Sequence, residues 1–106
     1  MKVMERIVQE IYLDKAPLFK EFQRKHDVVE ARLGFPPLRW YLAQYTAESS
    51  FVFVCEREWE SLAAMEATYA KAQGDPERQG LEAAWSTFGK SHRRELWQVF
   101  DFWFAQ

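Results

Sequence analysis

Along the chain, the spacing of apolar residues changes repeatedly between a period of about two, typical of β-strands, and a period of about 3.6, typical of amphipathic helices. Residues 3–12, 38–46, 51–58 and 93–104 show the first period or a continuous apolar run, and we predict a strand in each. Helical spacing fills the first and third of the three intervals between these strands. The short polar stretch 47–50 is predicted to be the hairpin turn between the second and third strands.

The last predicted strand, with the sequence RRELWQVFDFWF, is largely apolar on both faces. One face carries Leu96, Gln98, Phe100, Phe102 and Phe104, and the other carries Glu95, Trp97, Val99, Asp101 and Trp103. A strand with one face in water alternates more cleanly between apolar and polar residues. We therefore expect helices to cover one face of the sheet and a second copy of the chain to cover the other.

The first helix is predicted from an apolar stripe made of Leu18, Phe19, Phe22, Val29 and Leu33. Asp14 is its predicted N-cap, because a carboxylate can accept hydrogen bonds from the unpaired N–H groups of a first helical turn. Pro17 fits that first turn, where a missing N–H does no harm. Gly34 is placed to end the helix, and the two prolines that follow it prevent continuation.

The second helical region is predicted in two segments. Ser61 is the predicted N-cap of the first segment, whose stripe consists of Leu62, Met65, Tyr69 and Ala72. Gly74 interrupts this pattern, and Asp75 and Pro76 restart it as N-cap and first helical residue. The second segment carries Leu81, Ala84, Trp85 and Phe88, and Gly89 ends it.

The resulting order, β-α-β-β-α-β, predicts a ferredoxin-like α+β fold with an antiparallel sheet. Right-handed crossovers place both helical regions on one face of that sheet. The other face would expose large apolar side chains, each worth about 2–3 kcal/mol when buried. Packing two sheets face to face in a two-fold homodimer is the simplest way to cover them.

Composition narrows the class of protein. With 106 residues, 48% of them hydrophobic and 17% aromatic, the chain is predicted to form a single domain over residues 1–106. A net charge of −2 gives no reason to expect binding to nucleic acid or to a membrane surface. Cys55 is the sole cysteine, which excludes an internal disulfide and favours a cytoplasmic location. No cofactor or metal is predicted.

The pattern resembles a known family, the dimeric α+β barrel proteins and in particular their NIPSNAP-like branch. The resemblance covers essentially the whole chain and is clearest between Phe51 and Val99, which begins FVFVCEREWESLAAMEATYAKAQGDPERQGL. A strand ending in Glu-Trp, a Ser-Leu-Ala-Ala-Met-Glu helix start, an Asp-Pro-Glu restart and Arg-Glu-Leu at the final strand all look like that family. The resemblance implies a homodimeric barrel with a cavity on the inner sheet face, and it implies no particular substrate.

Polar residues interrupt the apolar faces of the predicted strands: Arg6, Glu10, Arg39, Tyr41, Gln44, Tyr45, Glu56, Gln98 and Asp101. Buried polar groups need partners, so the structural interpretation pairs them, for example Arg6 with Glu56 or Asp101. The functional interpretation makes them the converging polar groups of a small-molecule site. The residues we select for such a site are Arg6, Tyr41, Tyr45, Gln98 and Asp101. The sequence leaves open which alternation of residues faces the cavity.

Three further residues have chemistry of their own but are assigned structural roles. His26 is predicted to pack beside the sheet, because no second metal ligand follows at helical spacing. His92 is predicted in a solvated basic turn before the last strand. Cys55 is predicted to be a small buried side chain, since no base can be placed beside it.

Several functions stay open at this point. The fold and the aromatic surplus favour a protein that binds a small, largely apolar organic molecule. The alternatives are a cofactor-free monooxygenase of the antibiotic-biosynthesis type and a non-catalytic interaction protein whose dimer is the functional unit. The same element order serves RNA-recognition motifs, but the net charge has the wrong sign for RNA. For every alternative except the RNA-recognition motif, Trp97 and Trp103 are predicted to lie at the dimer interface.

Overall fold

The computed structural model describes residues 1–43 and 51–100. In chain order, the elements are β1 (Val3–Ile11), α1 (Ala16–Arg32), β2 (Arg39–Leu42), β3 (Phe51–Trp59), α2 (Leu62–Ala72), α3 (Pro76–Ala84) and β4 (Gly89–Gln98). Short 3-10 helices precede α1 at Leu13–Lys15 and follow α3 at Trp85–Thr87. The hairpin turn predicted at 47–50 lies outside the described residues.

The four strands form one antiparallel sheet in the order β2-β3-β1-β4, so β4 is an edge strand. This confirms the predicted ferredoxin-like fold. The odd-numbered residues of β1 and β3 point to the side where the helices pack, as the burial of Glu5, Gln9 and Cys55 shows. The opposite side, called here the open face, carries Met4, Arg6, Val8, Glu10, Arg39, Tyr41, Val52, Val54, Glu56, Glu58, Arg93, Glu95 and Trp97.

Three of the predicted helix-end residues, Ser61, Asp75 and Gly34, have the roles that the sequence indicated. The side chains of Ser61 and Asp75 accept hydrogen bonds from the backbone N–H groups of Ala64 and Arg78, both at 3.0 Å. Gly34 follows α1 with a positive φ of 90°, a conformation that glycine adopts without strain. The prediction for Asp14 is wrong, because a 3-10 turn separates β1 from α1 and makes Lys15 the N-cap.

The last strand differs from its prediction because pairing with β1, rather than the apolar run, sets its bounds. β4 begins at Gly89, four residues before the predicted start, where Gly89 faces Ile11. A side chain on Gly89 would clash, since a Cβ there would lie 2.4 Å from the Trp85 ring. The strand ends at Gln98, and the predicted continuation beyond Phe100 lies outside the described residues.

Two separate apolar clusters lie between the helices and the sheet. One consists of Ile11, Phe19, Phe22 and Phe88, and the other consists of Phe35, Trp59, Met65 and Ala72. The middle of the sheet, around Glu5, Ile7 and Gln9, lies between them. A small domain usually packs one contiguous core. The division into two clusters therefore points to the middle of the sheet as a candidate site.

Candidate functional site

A cleft of about 240 Å³ lies between the helices and the middle of the sheet. Its lining combines apolar residues with a large share of charged and polar ones: Ile7, Gln9, Phe22, His26, Glu30, Leu38, Trp40, Cys55, Arg57, Tyr69, Arg78, Glu82, Trp85, His92 and Arg94. The sheet contributes one wall, and α1, α2 and α3 contribute the other. Small-molecule sites commonly have this form, with apolar walls and a few converging polar groups.

A buried ionic network forms the floor at one end of the cleft, and Glu5 is its centre. The Glu5 carboxylate accepts hydrogen bonds from Arg57 Nε at 2.9 Å and Trp59 Nε1 at 3.0 Å. It also accepts from the Tyr69 hydroxyl and Arg94 Nε, both at 2.5 Å. Four donors on one buried carboxylate leave it fully satisfied, as burial of a charge requires.

Arg57 links this carboxylate to a second one on α1. Its Nη1 donates to Glu30 at 2.7 Å, and its Nη2 lies 3.4 Å from the Tyr69 hydroxyl. The guanidinium also lies over the Phe35 ring, 4.7 Å from the centroid, which adds a cation–π contact. Arg57 is therefore held on every side and serves to position the network.

The pKa shifts show that these groups keep fixed charges. Burial alone would raise the pKa of the Glu5 carboxyl, but the hydrogen bond from Tyr69 and the charge of Arg57 outweigh burial and lower it. Burial raises the pKa of the Tyr69 hydroxyl and so keeps it a donor. Burial would lower the pKa of Arg57, but the charge and hydrogen bond of Glu30, together with Tyr69 and Glu5, outweigh burial and raise it. None of these three groups therefore titrates near neutral pH.

Histidines and a half-exposed carboxylate lie on the opposite walls of the cleft. His26 stacks on Phe22 with 5.2 Å between ring centroids, and its Nε2 lies 3.3 Å from Glu30 and 3.5 Å from Glu82. The hydrogen bond from His26 lowers the pKa of the Glu82 carboxyl, although burial opposes the shift. On β4, the exposed ring of His92 packs edge-on against Trp85 at 4.9 Å.

The aromatic part of the cleft is held by a hydrogen bond between the 3-10 helix after α3 and the sheet. Trp85 Nε1 donates to the side-chain oxygen of Gln9 at 3.3 Å. The other Gln9 side-chain atom, Nε2, lies 3.8 Å from the Cys55 sulfur. Gln9 therefore uses both ends of its amide to fix the position of the indole relative to the sheet.

Five residues were selected from the sequence for a small-molecule site, and those among them that the structure describes do not line this cleft. Arg6 and Tyr41 lie on the open face, and Arg6 makes the predicted pair with Glu56 at 2.7 Å. Gln98 is exposed at the end of the edge strand, on the side opposite to Trp97. Tyr45, Asp101 and Trp103 lie outside the described residues, so those assignments remain predictions.

The structural roles assigned to three other residues have mixed outcomes. Cys55 is buried as predicted, and burial raises the pKa of its thiol to about 12. His26 was predicted to pack beside the sheet, and its ring instead stacks on Phe22 of α1 and faces the cleft. His92 was expected in a turn and lies instead within β4.

The residues that sequence reasoning missed are Glu5, Glu30, Arg57, Tyr69 and Arg94. Glu5 and Arg57 carried a usable signal, because each is a charged residue on a strand face whose neighbours are apolar: Val3 and Ile7 beside Glu5, and Cys55 and Trp59 beside Arg57. A buried charge in such a place requires an opposite charge nearby. The sequence provides the charges but does not show that residues 52 positions apart meet.

Comparisons with known proteins agree on the fold. No protein-family model matches the sequence, and no curated protein matches it. A NIPSNAP family protein from Agrobacterium tumefaciens superposes with a TM-score of 0.78 at 15% identity, covering 96% of each chain. The chain has the NIPSNAP-like fold.

Two further structures share this fold. SnoaB, a cofactor-independent oxygenase from Streptomyces nogalater, superposes with a TM-score of 0.62 at 13% identity over 94% of each chain. A dimeric protein of unknown function and ferredoxin-like fold from Bacteroides fragilis superposes with a TM-score of 0.66 at 13% identity, over 92% of this chain and 96% of that one. At such identities the likeness concerns fold and carries no activity across.

In residues 1–43 and 51–100, no helix is long and apolar enough to cross a membrane. Within the same ranges, no group of three His, Cys, Asp or Glu side chains is placed to hold a metal ion.

Proposed function

We propose that this NIPSNAP-like chain binds a small organic molecule in the cleft between its helices and its sheet. The observation that supports the proposal is the division of the core by a cleft that carries buried charges. Buried ion pairs are often no more stabilising than well-packed apolar residues of similar size. A domain selected for stability alone has little reason to keep such a cleft, whereas a ligand-binding domain has one.

The size and lining of the cleft favour a ligand with one or two rings. The volume of about 240 Å³ lies below the range of drug-sized sites, which begins at about 300 Å³. Phe22, Trp40 and Trp85 provide aromatic surfaces, and aromatic groups prefer stacked or edge-on contacts with such surfaces.

A neutral probe tests the proposal without assuming the ligand's charge. We expect 1-naphthylmethanol to bind the wild-type protein with a dissociation constant of about 10–100 μM in isothermal titration calorimetry. Leu38→Trp should weaken binding by about tenfold or more, because Leu38 lines the cleft and a larger side chain fills it.

Leu62→Trp is the matched control, because Leu62 begins α2, is exposed and does not line the cleft. This variant should bind as the wild type does. Absence of binding to the wild type at millimolar probe would contradict the proposal, and so would equal binding by the wild type and Leu38→Trp.

We also propose that the chain forms a homodimer through the open face of its sheet. Tyr41 and Trp97 are 47% and 51% exposed there, and apolar side chains from β1 and β3 lie between them. The Bacteroides fragilis protein with this fold is described as dimeric, which supports a dimeric state here. The predicted cavity between two sheets would then be a second place for the ligand, with Arg6 and Tyr41 in its walls.

An enzymatic version of the proposal is a cofactor-free monooxygenase, and the likeness in fold to SnoaB, a cofactor-independent oxygenase, supports it. Oxygen uptake with phenolic substrates would distinguish this enzyme from a binding protein. The competing function, a non-catalytic interaction protein, would retain the dimer but fail to bind the naphthyl probe. A cytoplasmic location also remains a proposal, and the free thiol of Cys55 is consistent with it.

A further inference from the structure

We propose that the ligand of the cleft is a small aromatic carboxylate and that Arg94 binds its acidic group. This inference rests on the proposed function, since it names the chemical class of molecule that the same cleft would take. Three observations support it: the accessibility of Arg94, the carboxylate that it shares with Arg57 and the aromatic wall beside it.

Arg94 is the most exposed of the three arginines that line the cleft, since the Arg78 side chain is 16% exposed and pairs with Glu30 and Glu82. The Arg57 side chain is 1% exposed, and each of its three nitrogens has a partner in Glu5, Glu30 or Tyr69. The Arg94 side chain is 41% exposed, donates through Nε to Glu5, and reaches the Met65 sulfur with Nη2 at 3.4 Å. Because a guanidinium has five N–H donors and a thioether is a weak acceptor, Arg94 retains donors for a further anion.

Arg94 shares its carboxylate partner with Arg57, which favours an anion beside it. The three carboxylates of the network, Glu5, Glu30 and Glu82, equal in number its three guanidinium groups, those of Arg57, Arg78 and Arg94. Glu5 shares its one negative charge between two of them. The third carboxylate of the cleft, Glu82, forms its ion pairs with Arg78 and His26 on the helical wall.

The surface next to Arg94 suits an aromatic ring. Arg94 and His92 lie two residues apart on β4, so they share a face and are separated by about 7 Å. His92 packs against Trp85 with 4.9 Å between ring centroids, so these two rings form an aromatic wall on the same face of β4 as Arg94. A carboxylate on Arg94 would also be a charge-assisted contact, which is stronger than a neutral one.

The test compares 1-naphthoate with 1-naphthylmethanol, two probes of the same size that differ in charge. The wild type should bind naphthoate about tenfold more tightly at low salt, and added salt should reduce this preference. Arg94→Gln should abolish the preference while binding of the neutral probe persists. Arg93→Gln is the matched control, because Arg93 is the preceding residue of the same strand, points to the open face and should leave the preference unchanged.

The ratio of the two dissociation constants is the decisive quantity, because both are measured on the same folded sample. If Arg94→Gln fails to fold, Arg94→Lys replaces it and should keep a reduced preference for the acid, since lysine retains the charge but not the forked geometry. Equal binding of both probes by the wild type, or an unchanged ratio in Arg94→Gln, would overturn the inference and leave the proposed function intact. If neither probe binds the wild type, both proposals fail.

Discussion

At the scale of single residues, the molecule depends on charges that are buried together. Glu5, Arg57 and Glu30 have almost no exposed side-chain surface, and each is bonded to at least one of the others. Such groups give little net stability as a set, but removing one leaves its partners buried and unpaired. The network therefore acts mainly to specify how the helices sit on the sheet beside the cleft.

Replacing the central carboxylate should be costly and should alter the response to acid. Glu5→Gln should lower the free energy of unfolding by about 3–5 kcal/mol at pH 7, measured by urea denaturation. The folded-state pKa of Glu5 is lowered, so its stabilisation is present above the ordinary value of 4.5 and is lost as pH falls through the folded-state pKa. The wild type should thus lose stability from pH 5 to pH 3 more steeply than Glu5→Gln.

Glu58→Gln provides the comparison for this prediction. Glu58 is paired with Lys2 at 3.3 Å, and both side chains are about half exposed. Its replacement should change the free energy of unfolding by less than about 1 kcal/mol. Similar decreases in the free energy of unfolding of Glu5→Gln and Glu58→Gln would contradict the cost expected for disrupting the buried Glu5 network.

Cys55 should be chemically inert in the folded protein. Its thiol is 1% exposed, and burial raises its pKa to about 12, so almost no thiolate is present at pH 8. We expect Ellman's reagent to modify Cys55 only in denaturant, with a native rate lower by about a hundredfold or more. Because the folded-state pKa is raised, the contribution of Cys55 to the free energy of unfolding is fully present below pH 9. This contribution should fall as the pH rises from 9 toward 12. Rapid labelling of the native protein would contradict this prediction.

At the scale of elements, the edge strand β4 joins the two proposed features of the molecule. Its inner face carries His92 and Arg94 to the cleft, and its outer face carries Trp97 beside Arg6. An edge strand with exposed apolar side chains promotes association unless it is covered. β4 is thus the element in which ligand binding and self-association would be coupled most directly.

Truncation of the exposed indole tests the role of β4 in assembly. We expect Trp97→Ala to weaken the dimer by about 3 kcal/mol, which corresponds to a dissociation constant about a hundredfold higher. Sedimentation equilibrium would measure this change, and the melting temperature should become more dependent on concentration. Trp103 carries the same prediction, although it lies outside the described residues.

Leu62→Ala is the control, because Leu62 has a comparable exposure on a helix away from the open face. It should leave the dissociation constant unchanged. If Trp97→Ala and Trp103→Ala both behave like this control, the interface does not involve the outer face of β4. A wild-type protein that is monomeric at micromolar concentration would exclude the proposed homodimer altogether.

At the scale of the whole molecule, the fold leaves two surfaces with different properties. The helix-covered face of the sheet contains the cleft and the ionic network, whereas the open face contains mixed apolar and charged residues. A homodimer packed through the open faces would leave the two clefts on opposite sides of the assembly. Ligand binding in the cleft and dimerisation could then be measured separately, which the Leu38 and Trp97 variants allow.

The element order, the fold class and most helix ends could be predicted from the sequence alone. These features depend on local physics: side-chain periodicity selects helix or strand, and residues such as Ser61, Asp75 and Gly34 satisfy backbone groups of their own neighbours. The first helix end was the exception, because the turn that displaces Asp14 from the cap depends on how β1 leads into α1.

The position of the candidate site follows from the tertiary structure and could not be read from the sequence. The cleft arises because antiparallel pairing sets Ile7 opposite both Cys55 and Arg94, and that register depends on contacts between distant segments. A strand shifted by one residue would exchange its two faces, so the pattern of Glu5 and Arg57 alone could not show which face the helices cover. The same register placed Arg6 and Tyr41 on the open face and brought hydrogen-bond donors from β3, α2 and β4 to the Glu5 carboxylate.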